Sequence, residues 1–242
     1  MNTERIALIT GANKGIGLQV SRELGLLGYT VLIGARSTVL GAEVVKKMTE
    51  EGLRAALVRI DVTDHTSVSK AASLISERFG RLDVLINNAG ICLDAGTLPS
   101  QVSLETLRKT FETNVFGAFS VLQTMLPLLL KSVAARVVNM SSGLGSLTLN
   151  SDPNYEFAQF KLLAYNSSKT TLNAFTVQFA HELKDTSIKV NSVDPGFTAT
   201  DLNGHRGTGT TEQAASIVLR LATLPESGPT GGFFDKNGHV PW

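Results

Sequence analysis

The chain has 242 residues, of which 43% are hydrophobic and 18% are charged, and its 22 basic and 21 acidic side chains leave a net charge of +1. Such a composition is typical of a globular protein, and the near-neutral charge argues against nucleic acid or a membrane surface as a partner. No apolar run reaches the roughly 18 residues of a membrane span, and the first residues lack a signal-peptide pattern. The single cysteine, Cys92, cannot form a disulfide within the chain, so we expect a cytoplasmic protein.

Short apolar segments recur along the chain and predict strands that are buried on both faces, as in a parallel sheet; they lie at residues 6–9, 31–33, 55–58, 84–86, 137–138 and 190–193. Between them, apolar residues recur every three or four positions and predict helix faces: Leu104, Leu107, Phe111, Val115, Phe119 and Leu122, then Leu172, Phe175, Phe179 and Leu183. This alternation predicts a single α/β domain over residues 1–242. We expect a Rossmann-like, doubly wound parallel sheet of about seven strands, with helices on both faces.

A glycine-rich turn follows the first predicted strand and leads into a helix; it reads Thr10-Gly11-Ala12-Asn13-Lys14-Gly15-Ile16-Gly17. Backbone N–H groups at such a helix start can bind a pyrophosphate, and glycine lets the phosphate approach closely. The alternative is a tight turn whose glycines serve packing alone. The strand before the turn and the helix after it favour nucleotide binding.

The glycine spacing, T-G-x-x-x-G-x-G, resembles that of the short-chain dehydrogenase/reductase family. Further matches follow in the order of that family: Asp61-Val62, Asn87-Asn88-Ala89-Gly90, Asn114, Ser141-Ser142, Tyr165 with Lys169, and Pro195-Gly196. Several details, among them Ala35-Arg36, resemble the subgroup of NADPH-dependent carbonyl reductases that includes menthone and salutaridine reductases. The resemblance implies an oxidoreductase that uses a nicotinamide dinucleotide.

The end of the second predicted strand bears on the choice of cofactor. An acidic residue there would bind the ribose 2′-hydroxyl of NAD, whereas this chain has Arg36. Arg36 and Lys14 can bind a 2′-phosphate, which predicts NADP(H). The alternative is that Arg36 is a solvated surface side chain and Lys14 a loop lysine.

The resemblance also implies the other contacts to the cofactor. Asp61 and Val62 would contact the adenine, although Asp61 could instead cap a helix. The glycine turn would contribute Gly11, Asn13, Gly15, Ile16 and Gly17, and the residues after the fourth strand would contribute Asn88, Ala89 and Gly90. The other contacts would come from Tyr165 and Lys169, and from the segment after the sixth strand: Pro195, Gly196, Thr198 and Thr200.

Tyr165 and Lys169 are four residues apart and would share one helix face, where the lysine ammonium would favour the tyrosine phenolate. The resemblance implies that Tyr165 is the general acid, that Lys169 tunes it and binds ribose, and that Ser142 orients the carbonyl. It also implies that Asn114 holds a water in a proton relay. The alternatives are a pair of surface neighbours and a buried amide that stabilises a helix kink.

These features together predict NADPH-dependent reduction of a ketone or aldehyde to an alcohol. The alternatives are a ketoacyl-thioester reductase or hydroxyl dehydrogenase of the same family, or a non-catalytic NADP sensor. The four histidines lack ligand spacing, so we expect no metal site. Residues 201–211, rich in glycine, would form either a mobile lid or an ordinary loop.

Tyr165 follows Ser142 by 23 residues, a longer separation than is common in the family. We expect the additional residues to line the substrate pocket with apolar side chains: Leu147, Leu149, Phe157 and Phe160. They could also obstruct the helix pairing by which many relatives form tetramers. We therefore expect a monomer or homodimer that acts on a small, apolar carbonyl compound.

Overall fold

A central β-sheet organises residues 4–242, the part of the chain that this computed structural model describes. Its strands are β1 (Ile6–Thr10), β2 (Thr30–Ala35), β3 (Ala55–Arg59), β4 (Val84–Asn87), β5 (Arg136–Met140), β6 (Lys189–Val193), β7 (Phe233–Asp235) and β8 (Gly238–His239). They lie in the order β3-β2-β1-β4-β5-β6-β7-β8. All pairs are parallel except the last, in which β8 runs antiparallel to β7.

The helices lie between the strands in sequence: α1 (Gly15–Leu26), α2 (Thr38–Glu50), α3 (His65–Phe79), α4 (Leu104–Phe111), α5 (Ala118–Leu129), α6 (Leu147–Ser151), α7 (Leu163–Glu182) and α8 (Thr211–Ala222). A π-helical segment, Glu112–Gly117, joins α4 to α5. Among residues 4–242, no helix has the length and apolar character needed to cross a lipid bilayer.

Successive residues of each strand point to opposite faces of the sheet, and both faces are buried in a core. Leu8 of β1 packs in a core with Val121 of α5, whereas the next residue, Ile9, packs in a second core with Val20 of α1 and Val218 of α8. The predicted doubly wound α/β fold is therefore confirmed, and the continuous apolar segments of the sequence are explained by this burial on both faces.

Two features differ from the expectation. The sheet has an additional antiparallel strand, β8, which is only two residues long and too short to give a sequence pattern. The predicted helix face after residue 104 also leaves the core in places, since Leu104 is 58% exposed. Phe119 lies at the edge of that face, where its ring contacts those of Phe175 and Phe179 on α7, with centroids 5.7 and 6.1 Å apart.

The strand order reverses between β1 and β4, which are neighbours in the sheet although β2 and β3 separate them in sequence. The connections after β1 and β4 lead toward opposite edges of the sheet, so a crevice opens beyond the carboxyl ends of these two strands. Ligands of open α/β sheets bind at such a crevice.

Candidate active site

The glycine turn between β1 and α1 depends on glycine at several positions. Gly11 and Gly15 have φ angles of +63° and +56°, in the left-handed region that glycine adopts without strain. A Cβ on Gly17 would lie 2.5 Å from Asn88 Nδ2 and 2.8 Å from the Gly11 carbonyl oxygen. No side chain caps the start of α1, so its first backbone N–H groups are available to an anion.

Asn88 fastens this turn to the end of β4. Its Nδ2 donates to the carbonyl oxygens of Thr10, at 2.8 Å, and Gly11, at 3.1 Å. The Thr10 hydroxyl in turn accepts the backbone N–H groups of Asn88 and Ala89, both at 3.0 Å. The glycine turn and the end of β4 thus form one cradle. Asn88 has a structural role in this cradle, in addition to the ribose contact that the family resemblance implies.

The two cations predicted to bind a 2′-phosphate have different surroundings. Lys14 Nζ pairs with Asp201 Oδ2 at 2.6 Å, and His205 Nε2 lies 2.8 Å from the other oxygen of that carboxylate. Arg36 is exposed directly after β2 and forms no ion pair with another residue in the described part of the chain. Arg36 is thus an exposed cation that is unpaired within residues 4–242 and lies directly after β2.

Asp61 and Val62 follow β3 and differ in their roles. Asp61 Oδ1 accepts from the backbone N–H and the hydroxyl of Thr63, at 3.0 and 2.8 Å. The cap of α3 is Asp64, which accepts from the Thr66 N–H at 2.9 Å, so Asp61 does not cap that helix. Val62 is buried against Gly117, where a Cβ would lie 2.8 Å from its Cγ2.

The segment after β6 folds back on itself. Gly196 has a φ of +75°, and the buried Thr198 hydroxyl donates to the carbonyl oxygens of Pro195 and Gly196, at 3.2 and 3.3 Å. Gly209 pairs with this segment through hydrogen bonds of 2.9 Å in both directions. Thr200 lies beside the glycine turn, since a Cβ on Gly15 would be 3.5 Å from its methyl group.

Helix α7 carries Tyr165 and Lys169, both of them buried, on the face toward the ends of β5 and β6. The Tyr165 hydroxyl lies near Ser142, and burial, followed by the nearby Cys92 and Asp194, raises the pKa of Tyr165. Lys169 Nζ donates to the Met140 carbonyl at 2.6 Å and lies 5.5 Å from the centroid of the Tyr165 ring.

The relation between the two pKa values differs from the sequence-based expectation. Burial lowers the pKa of Lys169 to about 8, while the pKa of Tyr165 is raised. The lysine was expected to lower the tyrosine pKa, but both groups are removed from water, which disfavours both charged forms. The phenol therefore keeps its proton at neutral pH, as a general acid must.

Asn114 lies in the π-helical segment and is buried. Its Nδ2 donates to the Ile91 carbonyl at 2.9 Å and to Ser168 Oγ at 3.0 Å, and its Oδ1 accepts from the Ile91 N–H at 2.8 Å. The Asn114 amide thus connects the loop after β4 to helix α7. A π-helical turn is a common feature of functional sites, because it re-aims one side chain within a helix.

A cavity of about 880 Å³ opens beside Ser142 and Tyr165. Of the residues predicted to line it, Phe157 and Phe160 do so, whereas Leu147, which is 65% exposed, and Leu149 do not. Cys92 also lines this cavity. Within residues 4–242, no group of three or more His, Cys, Asp or Glu side chains is placed to hold a metal ion.

Asp94 is a buried residue of the site that the sequence did not reveal. Helix α7 begins without a cap from its own N-cap residue, Leu162. Asp94 Oδ2 instead accepts from the Ala164 N–H at 2.7 Å, directly before Tyr165. A carboxylate here satisfies a free donor and opposes the positive end of the helix dipole. Seventy residues of sequence separate the two groups, so no local pattern could have shown the contact.

A glycine turn at a helix start, beside a partly buried Ser and a buried Tyr and Lys, is the arrangement of a dinucleotide-dependent oxidoreductase. The sequence pattern of the short chain dehydrogenase family matches residues 5–210. The chain belongs to the short-chain dehydrogenase/reductase family, whose members use a nicotinamide cofactor.

Individual relatives agree with this assignment. The chain is 37% identical to the short-chain dehydrogenase anuI of Penicillium roqueforti, over 91% of this chain and 89% of that protein. It is 31% identical to salutaridine reductase of Papaver bracteatum, over 96% and 94% of the two chains. Among solved structures, an NADPH-bound carbonyl reductase from chicken fatty liver superposes with a TM-score of 0.86 at 26% identity, covering 99% of this chain and 100% of the other. The predicted resemblance to carbonyl and salutaridine reductases is confirmed.

Replacement of Asp94 by alanine should lower the free energy of unfolding by about 1–2 kcal/mol, as expected for loss of a buried helix cap. It should also lower kcat, because the first turn of α7 carries Tyr165. Urea denaturation and steady-state kinetics measure the two effects.

Asp64→Ala is the matched control, since it removes the cap of α3, a helix that carries none of the proposed catalytic side chains. It should lower stability by a similar amount and leave kcat near the wild-type value. Equal effects of the two variants on kcat would contradict a positioning role for Asp94.

Proposed function

We propose that the protein reduces a ketone or aldehyde to an alcohol with NADPH. The observation that carries the proposal is the position of Ser142 beside the buried Tyr165, with the buried Lys169 behind it, at a large cavity. NADPH, when bound, would supply the hydride that is transferred to the carbonyl carbon. The protein would bind the carbonyl oxygen and supply the proton.

In this mechanism the Ser142 hydroxyl donates a hydrogen bond to the carbonyl oxygen and orients it. The Tyr165 hydroxyl then protonates this oxygen as negative charge develops on it. The Lys169 ammonium stabilises the phenolate that is left, and Asn114 would hold a water through which the proton returns. The intact Ser, Tyr and Lys set argues against a sensor that only binds NADP, since such a protein has no need of proton transfer.

The residues of the cradle fit a dinucleotide. Gly15 and Ile16 would bring backbone N–H groups to the pyrophosphate, with Gly11, Asn13 and Gly17 allowing its approach, while Asn88, Ala89 and Gly90 would face a ribose. Asp61 and Val62 would contact the adenine, and Pro195, Gly196, Thr198 and Thr200 would contact the nicotinamide. The unpaired Arg36 supports NADPH over NADH, and a 2′-phosphate would compete with Asp201 for Lys14.

Tyr165→Phe should reduce kcat/KM for any ketone substrate by about a hundred- to ten-thousand-fold, because the ring remains but the proton donor is lost. A panel of aryl ketones, diketones, aldehydes and acyl thioesters, followed by NADPH absorbance, measures the loss. The panel also separates a carbonyl reductase from a ketoacyl-thioester reductase, and assay in the oxidative direction tests a hydroxyl dehydrogenase. NADPH binding should be retained, and a variant that keeps most of its activity would exclude Tyr165 as the acid.

Arg36→Asp should shift the ratio of kcat/KM values from NADPH toward NADH by about ten- to a hundredfold or more, since it removes a charge-assisted contact and adds a repelling carboxylate. Arg36→Gln separates the two effects, because it removes the cation alone and should weaken NADPH without improving NADH. An unchanged cofactor ratio in both variants would exclude Arg36 from cofactor selection.

We also propose that the protein is a cytoplasmic monomer or homodimer. Gel filtration should give a mass near one or two times 25.8 kDa. A mass near four times that value would contradict the proposal and would mean that the residues between Ser142 and Tyr165 leave the helix pairing of family tetramers intact.

A further inference from the structure

The wall of the cavity that faces away from the glycine turn is aromatic. Phe157 lies at its centre, with ring centroids 5.6 Å from Tyr155, 6.1 Å from Phe160 and 5.8 Å from Phe197. Three of these rings come from the residues between Ser142 and Tyr165, and the fourth comes from the segment after β6. All four side chains line the cavity.

A carboxylate interrupts this apolar lining. Asp194 directly follows β6 and also lines the cavity. Its Oδ1 accepts from the Gly196 N–H at 3.0 Å, and the backbone of Gly143 lies nearby. A Cβ on Gly143 would lie 2.9 Å from Asp194 Oδ2 and would also meet the Tyr155 hydroxyl. The carboxylate of Asp194 and the phenol of Tyr155 therefore both lie close to Gly143, one residue after Ser142.

Within residues 4–242, Asp194 forms no ion pair with a lysine, arginine or histidine, although Lys161 and Arg206 line the same cavity. The charged groups that act on its pKa are the carboxylates of Asp235 and Glu156. Burial is the main reason that the pKa of Asp194 is raised, and these two carboxylates raise it further. Asp194 is partly buried. A bound cation would stabilise a partly desolvated carboxylate that has no cationic partner.

We propose that the site selects carbonyl substrates that carry a protonated amine, with the ammonium paired to Asp194 and surrounded by the ring faces of Tyr155, Phe157 and Phe197. Aromatic faces attract cations, and the attraction is stronger where water is excluded. The inference rests on the proposed function, because it concerns a second group on the same substrate. It adds a charge requirement to a cavity whose other charged lining residues are Lys161 and Arg206.

The test compares two matched substrates. One is an aryl ketone with a short alkyl chain that ends in a dimethylamino group, and the other is its isostere that ends in an isopropyl group. The measured quantity is the ratio of their kcat/KM values with NADPH at neutral pH. The ratio should favour the amine in the wild-type protein and should fall about tenfold or more in Asp194→Asn, mainly through KM, because the variant keeps the shape and loses the charge.

Glu156→Gln is the matched control. Glu156 is exposed and does not line the cavity. The substitution removes one nearby negative charge, and the ratio of the two kcat/KM values should stay near the wild-type value. If Asp194→Asn does not fold, Asp194→Ser supplies the second variant, since its hydroxyl can still accept from the Gly196 N–H. An equal ratio change in Glu156→Gln, or equal loss for both ketones in Asp194→Asn, would overturn the inference.

The remaining outcomes separate the two proposals. If the wild-type protein reduces the isostere as well as the amine, amine selection is wrong and the reductase function stands. If neither ketone oxidises NADPH, the proposed function is contradicted. Calorimetry of both ketones with the protein and NADP+ then still tests amine selection, which requires tighter binding of the amine and loss of that difference in Asp194→Asn.

Discussion

The hydrogen bonds between the ends of β1 and β4 support the rest of the site. Thr10 and Asn88 exchange backbone and side-chain bonds across the point where the strand order reverses. Without them, the glycine turn would have no fixed position relative to the loop after β4. Asn114 in turn connects that loop to α7, since its side chain hydrogen-bonds to Ile91 of the loop and to Ser168 of α7. The side-chain amides of Asn88 and Asn114 thus connect the glycine turn to helix α7.

This arrangement explains why the turn needs its glycines. Gly17 and Gly11 leave room for the end of β4, because a Cβ on either would meet Asn88 or Ala89 at 2.5 to 3.4 Å. Gly15 faces the methyl group of Thr200 at an ordinary contact distance, and its positive φ serves the turn itself. The packing interpretation and the phosphate interpretation of the glycine pattern are therefore compatible.

The fold could be predicted because strands buried on both faces give continuous apolar segments, and the intervening helices show a regular period. The catalytic candidates followed from motifs at fixed spacing, such as Tyr165 and Lys169 on one turn of helix. Asp94 could not be predicted in this way. Its partner is 70 residues distant in sequence, and a lone aspartate in a loop gives no periodic signal.

The same limit applies to the charges around the cradle. Lys14 was predicted to face a phosphate, yet its pairing with Asp201 depends on how the segment after β6 folds back, 187 residues later. Asp194 precedes a recognised motif, but its lack of a cationic partner is a property of the surrounding side chains. Sequence spacing identifies which groups occur, whereas burial and long-range packing determine how their charges are balanced.

Burial also determines how Tyr165 and Lys169 can work together. The raised pKa of Tyr165 keeps the phenol protonated, but the same burial makes the phenolate costly once the proton is given up. The compensating charge must come from Lys169, whose pKa near 8 leaves most of it charged at neutral pH and less of it charged as the pH rises. Its hydrogen bond to the Met140 carbonyl, at 2.6 Å, holds the ammonium beside the ring. The proposed reduction would therefore require the two residues in their protonated forms together, which a buried tyrosine alone could not sustain.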